Sequence, residues 1–192
     1  MFKKEFWISS ANKLKDVKYL ALIALFIALK TMVGSLFIPV SENLGIYLTF
    51  LVVAIESAII GPVGALLSGF ITDLVHFMLF PTGPFFLGYT LSEMLGGLIF
   101  ALFLYNQKIT IAKLAIARFI INYFVNVGLG SLWSSILYEK AYLFYAGTSL
   151  IKNTIMLPIE VILLVLLFNL LIPFLKNKNL ISSENTTPIP WK

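Results

Sequence analysis

The chain has 192 residues, 59% of them hydrophobic and 12% charged, with no cysteine, one histidine and a formal net charge of +5. That balance excludes an ordinary soluble domain, and the missing cysteine removes disulfides, thiolate nucleophiles and cysteine metal sites. At roughly 20 apolar residues per bilayer crossing, the length holds about five to seven spans and no soluble catalytic domain beside them.

Residues 1–18 carry five lysines and no apolar run long enough to cross a bilayer, so they are expected to form a basic cytoplasmic leader. The first span is predicted from Tyr19 to Ile38, apolar except for Lys30, and neither its length nor its ending resembles a cleaved signal peptide. Pro39 to Gly45 is a loop bearing Ser41, Glu42 and Asn43. Ile46 to Ile60 is a second, short span, broken by Gly61-Pro62. The third span runs from Val63 to Phe80 and the fourth from Phe85 to Tyr105. Pro81-Thr82-Gly83-Pro84 turns between them, since two prolines forbid a continuous helix. Leu114–Leu137 and Leu150–Phe174 supply the fifth and sixth spans, and residues 175–192 form a polar tail.

The expected fold is thus all-α, six transmembrane helices over residues 19–174, with both termini on one side. The lysines place that side in the cytoplasm: the leader, Lys108, Lys113, Lys176 and Lys178 lie inside, whereas the Tyr138–Thr148 loop holds only Glu139 and Lys140. The lysines gather at span ends and form no recognition face for nucleic acid. No internal repeat supports a duplicated carrier architecture.

Ionisable groups inside spans are costly unless paired or wet, and Lys30, Glu56, Asp73, His76, Glu93, Arg118, Lys152 and Glu160 fall within or at the ends of spans. Arg118, four residues into its span, is expected to snorkel. Lys30 lies deeper and is a pocket candidate, with snorkelling or structural pairing as the alternatives. Asp73 and His76 share a helix face. They fit either a ligand contact or a hydrogen-bonded pair tying two helices together. Lys152 and Asn153, at the outer start of the sixth span, fit an anionic ligand or an interface marker equally. Phe85, Phe86, Tyr89, Trp133 and Tyr138 cluster near the outer face, as an aromatic belt or as ring partners for a flat heteroaromatic ligand with carboxylates. The chain has no His-Glu-x-x-His, G-x-S-x-G or G-x-x-x-x-G-K motif, so no enzymatic activity and no cofactor is expected.

Three segments are the most distinctive: PTGPFFLGYTLSE at Pro81–Glu93, LWSSILY at Leu132–Tyr138 and IKNTIMLPIE at Ile151–Glu160. In combination they resemble the folate-type substrate-binding subunits, or S components, of energy-coupling-factor (ECF) importers, and the likeness runs from about Lys18 to Phe174. The resemblance implies an outward-facing vitamin pocket bounded by the first loop and the third-to-fourth turn, in a cell membrane. It also implies partnership with a transmembrane coupling subunit and two cytoplasmic ATPases. Expected substrate contacts are Lys30, Asp73, His76, Phe86, Tyr89, Thr90, Ser92, Trp133, Lys152 and Asn153. Ala21, Ala24 and Ala28 form a stripe of small residues that suits close helix approach. It matches the alanine motif by which such subunits dock, although packing within the chain is the alternative. The chain departs from the folate-type pattern at Gly130-Ser131, where Asn-Thr is usual, near Ser149, where an arginine is common, and at Lys30, where an arginine is frequent. An S component for another vitamin, or a self-contained secondary carrier, therefore stands beside the folate reading.

Overall fold

The structure, a computed structural model, describes residues 4–36, 38–41, 44–81, 83–139 and 141–192, with the backbone alone at 39–41, 44 and 45. Helix α1 (Lys4–Lys13) is followed by α2 (Val17–Ser35), whose start is capped by Asp16 accepting from the Lys18 N–H at 2.9 Å. A short antiparallel hairpin, β1 (Ile38–Ser41) and β2 (Leu44–Ile46), pairs Ile38 with Ile46. Helices α3 (Thr49–Ile60), α4 (Pro62–Leu79) and α5 (Leu87–Leu104) come next. Then α6 (Ile111–Ile120), a π-helical stretch (Ile121–Leu129) and α7 (Gly130–Tyr138) run on without a break, and α8 (Tyr142–Asn177) closes the bundle.

Five of these segments are long and apolar enough to cross a membrane: α2, α4, α5, the continuous Ile111–Tyr138 rod and α8. The stretch expected as a second span gives only the 12-residue α3, roughly 18 Å of helix at 1.5 Å per residue, well short of a bilayer core. The helical architecture stands as expected, with a local difference at the first connector. The first span stops at Ser35 rather than Ile38, because Pro39 drives the preceding backbone to extended geometry, and the connector pairs as a hairpin. The expected Tyr138–Thr148 loop is helical from Tyr142 onward. Its apolar run simply extends α8, and the helix continues through Pro158 and Pro173, which membrane helices tolerate when neighbours satisfy the freed backbone groups. Residues 1–3, Phe37, Glu42, Asn43, Thr82 and Lys140 lie outside the described residues.

In lipid, helices gain little from hydrophobicity and depend on close contact. α4 and α5 achieve it at Gly69, where an added Cβ would come 3.0 Å from the Met94 Cα, and at Gly97, where one would come 3.3 Å from the Ala65 Cβ. Ser57 ties α3 to the same crossing by donating to the Gly97 carbonyl at 3.0 Å. Ala54, Phe100, Leu114, Leu164 and Phe168 form a fully buried core among α3, α5, α6 and α8.

The N-terminal helix and the C-terminal segment both close this end of the bundle. Ser10 donates to the Ile60 carbonyl at 2.9 Å and accepts from the Val63 N–H at 3.1 Å, stitching the end of α3 to the start of α4. Between them Gly61 holds a φ of +86°, and Pro62 opens α4 where its missing N–H costs nothing. On the other side the carbonyls of Pro190 and Trp191 accept from the Ile111 and Ala112 N–H groups at the start of α6, while Ile189 enters the core.

Candidate functional site

A cavity of about 1050 Å³ occupies the other half of the bundle. Its deep wall holds two buried ion pairs. Lys30, on α2, places Nζ 2.6 Å from Glu56 Oε2 and donates to Ser68 at 2.7 Å; its side chain is 3% exposed and that of Glu56 1%. Arg118, on α6, grips Glu160 of α8 at two points, Nε to Oε2 at 2.8 Å and Nη2 to Oε1 at 2.5 Å, and its guanidinium lies 4.4 Å above the Phe50 ring. Each cation is thus neutralised in place, which is what permits a charge at membrane depth.

The π-helical stretch extends the second pair into a ladder of amides. Asn122 donates to Glu160 Oε2 at 2.6 Å, and Asn126 donates to Asn122 Oδ1 and Asn153 Oδ1, each at 3.2 Å. Asn153 in turn donates to the Ser149 carbonyl at 2.8 Å. A π-helix widens the turn and re-aims side chains, a feature concentrated at functional sites. Here it lines the cavity with Ile121, Val125 and Asn126, and α7 follows with Gly130 and Ser131.

Rings gather at the mouth. Phe77 packs against Phe85 at 5.1 Å between centroids, Phe86 against Tyr89 and Trp133, and Tyr89 and Ser134 share a hydrogen bond of 3.0 Å. Tyr47, just before α3, also lines the cavity. Burial pushes its phenol above the usual range, and the nearby Glu93 and Tyr89 push it further. Four buried polar atoms of cavity residues have no hydrogen-bond partner among the described residues: Thr72 Oγ1, His76 Nε2, Ser131 Oγ and Tyr145 OH. Orphaned groups in a polar cavity mark places for a ligand or water. No group of three His, Asp or Glu residues among the described ones is placed to hold a metal ion.

Of the residues singled out in the sequence, Lys30, Asp73, His76, Phe86, Tyr89, Ser92 and Lys152 line this cavity together. Thr90, Trp133 and Asn153 stand behind its wall. Thr90 donates to Asp73 at 2.5 Å, Trp133 donates through Nε1 to Ser92 at 3.0 Å, and Asn153 is held by the amide ladder. Asp73 and His76 share a face without bonding to each other; the imidazole packs on Phe80 and against Gly34. Arg118 does not snorkel. It is buried because Glu160 meets it from α8, a partner 42 residues away in sequence. Glu93, Glu160 and Arg118 were visible as ionisable groups but not as cavity residues, Ser131 stood out only as part of the departure at Gly130-Ser131, and Thr72 and Tyr145 carry no sequence signal, since hydroxyls are common in membrane helices. Ala21, Ala24 and Ala28 are exposed on the outer face of α2, turned away from Lys30.

A family model described as "ECF transporter, substrate-specific component" matches residues 18–168. A "Folate transporter FolT" of Clostridium novyi (strain NT) is 36% identical over 115 residues, 60% of this chain and 67% of that protein. A protein of the same name from Leuconostoc mesenteroides subsp. mesenteroides is 26% identical over 152 residues, 76% of this chain and 82% of the relative. Among solved structures, a crystal structure of FolT bound with folic acid superposes with a TM-score of 0.71 at 30% identity, covering 76% of this chain and 88% of that one.

Proposed function

This chain belongs to the substrate-specific components of ECF transporters, a family of transporter subunits and not of enzymes, and we propose that it captures a folate from outside the cell for ATP-driven import. The observation that carries the proposal is the cavity itself. Its volume lies at the top of the roughly 300–1,000 Å³ range of small-molecule sites, with rings at the mouth and polar and charged groups at depth. A flat heteroaromatic head joined to a carboxylate tail needs both kinds of wall. The similarity to a FolT bound with folic acid supports the same ligand class.

In this reading α3 is the second of six membrane helices, although too short to span the bilayer core by itself, and the shared end of the N-terminal helix and the C-terminal segment faces the cytoplasm, where Lys108, Lys113, Lys176 and Lys178 belong. Residues 1–18 and 175–192 flank the membrane domain, in the plasma membrane. The substrate is held by the cavity-lining Lys30, Asp73, His76, Phe86, Tyr89, Ser92 and Lys152, with Thr90, Trp133 and Asn153 supporting them. Ala21, Ala24 and Ala28 present the docking face for a transmembrane coupling subunit, which links the chain to two ATPases. The exposure of all three alanines supports docking over packing within the chain.

The test is calorimetry on the purified chain with folic acid and reduced folates, with about one ligand bound per chain expected at saturation. No heat with any folate, together with clear binding of a different vitamin, removes the folate assignment.

A further inference from the structure

Glu93 is one of two cavity carboxylates, with Asp73, that the two ion pairs leave over, and the one of the two that takes no hydroxyl. It projects from the middle of α5 into the cavity, exposed to that space, and no hydrogen bond or ion pair from a described residue reaches it. The elements packed on α5 present mostly charge already committed. From α3 comes Glu56, whose Oε2 faces Lys30 of α2; from α6 comes Arg118, gripped by Glu160 of α8. α4 presents Asp73, which takes the Thr90 hydroxyl, and His76. Around the mouth stand Lys152 of α8, Tyr138 of α7, Tyr89 of α5 and Tyr47. Cations Lys30, Arg118 and Lys152 therefore confront carboxylates Glu56, Asp73, Glu93 and Glu160, three against four. Behind this wall Glu56 Oε1 is buried with no hydrogen-bond donor among the described residues.

Into this cavity, on the function proposed above, goes an anion. Adding carboxylates to a low-dielectric space that already holds one uncompensated negative charge is opposed by electrostatics, and a proton is the smallest ion that relieves the opposition. We propose that Glu93 is a proton site linked to ligand capture: the anionic ligand enters together with one proton from solvent, which settles on the Glu93 carboxylate. By linkage, a site that takes up a proton on binding holds its ligand more tightly at lower pH, with the dissociation constant rising about tenfold per pH unit while one proton is taken up.

The experiment is calorimetry of folic acid binding to the full chain in phosphate and in Tris at matched pH between about 6 and 8, where the difference in heat between buffers counts protons. The expected result is uptake of about one proton per ligand. Glu93→Gln should take up none, whatever its affinity, while His76→Asn should still take up the proton. Ligand binding by the native chain with no uptake overturns the proposal, and so does uptake that survives in Glu93→Gln or vanishes in His76→Asn. Absence of uptake by the native chain overturns the proposal even where a variant fails to fold, and Glu93→Asp, which keeps a carboxylate, should retain the uptake. If no folate binds at all, the substrate assignment falls, and the linkage, which rests on an anionic ligand, falls with it.

Discussion

Arg118 and Glu160 meet edge to edge, with two hydrogen bonds between guanidinium and carboxylate and Asn122 adding a third to the same carboxylate. Such a pair is defined by the penalty for breaking it. Removing one member strands the other at membrane depth, at about 3–5 kcal/mol, whereas removing both together often costs little. Arg118→Met should therefore lower the midpoint of thermal unfolding in detergent sharply, and Arg118→Met with Glu160→Leu should recover most of the loss. Equal destabilisation of the single and double variants would show that the pair supports more than itself. Arg118→Lys should be intermediate, because an ammonium cannot reproduce the two-point contact.

How much of this was legible in the sequence divides along the same line. Five of the six expected spans were, apart from their ends, because apolar runs and the prolines at 39, 62, 81 and 84 are local signals. So was the pairing of rings with buried charge around Lys30, Asp73, Phe86 and Tyr89. The partners were not. Nothing in the residues around Arg118 announces Glu160, and nothing in Lys30 announces Glu56 26 positions on, since both pairs exist only when helices meet side by side. The π-helical stretch was equally hidden, because Ile121–Leu129 has the composition of any membrane helix. The hairpin at Ile38–Ile46 was missed because its apolar β-branched residues also suit a span end.

Lys13 gives the closed end of the bundle a pH dependence. Its ammonium donates to the Ile59 carbonyl at 2.5 Å and stands 4.5 Å from the Tyr105 ring centroid, and burial, with Lys18 nearby, lowers its pKa from 10.5 to about 8. The folded chain binds this proton less tightly than the unfolded chain, so unfolding takes up a proton between about pH 8 and 10.5. This group's contribution to stability is therefore fully present above the unfolded pKa and is lost as pH falls through about 8. Thermal unfolding of the native chain minus that of Lys13→Met should show stability rising through this window. A flat or falling difference would contradict the placement of Lys13.

Gly88 sets the distance between two rings of the mouth. A Cβ there would collide with the Phe86 ring and lie 2.6 Å from Trp133 Cδ2, so Gly88→Ala must displace one of them. Because Phe86 lines the cavity and Trp133 holds Ser92, the displacement reaches the site from either side. Overpacking of this kind typically costs about 1–3 kcal/mol, and a matching loss in folate affinity is expected by calorimetry. Unchanged affinity in a folded variant would detach this corner from the ligand.

The last prediction concerns docking. Ala24 and Ala28 leave a shallow groove on the outer face of α2, while Lys30 on its inner face is pinned to Glu56 and Ser68. On the proposed function, the two faces of one helix would thus keep docking apart from binding. Two membrane helices without a hydrophobic driving force depend on tight van der Waals contact, which a large side chain destroys. Ala24→Trp or Ala28→Trp should therefore abolish uptake of labelled folate in vesicles containing the coupling subunit and ATPases. Folate binding to the isolated variant should persist, because the substituted side chain points away from the cavity. Loss of both activities would assign the stripe to packing within the chain, and full retention of transport would remove it from docking.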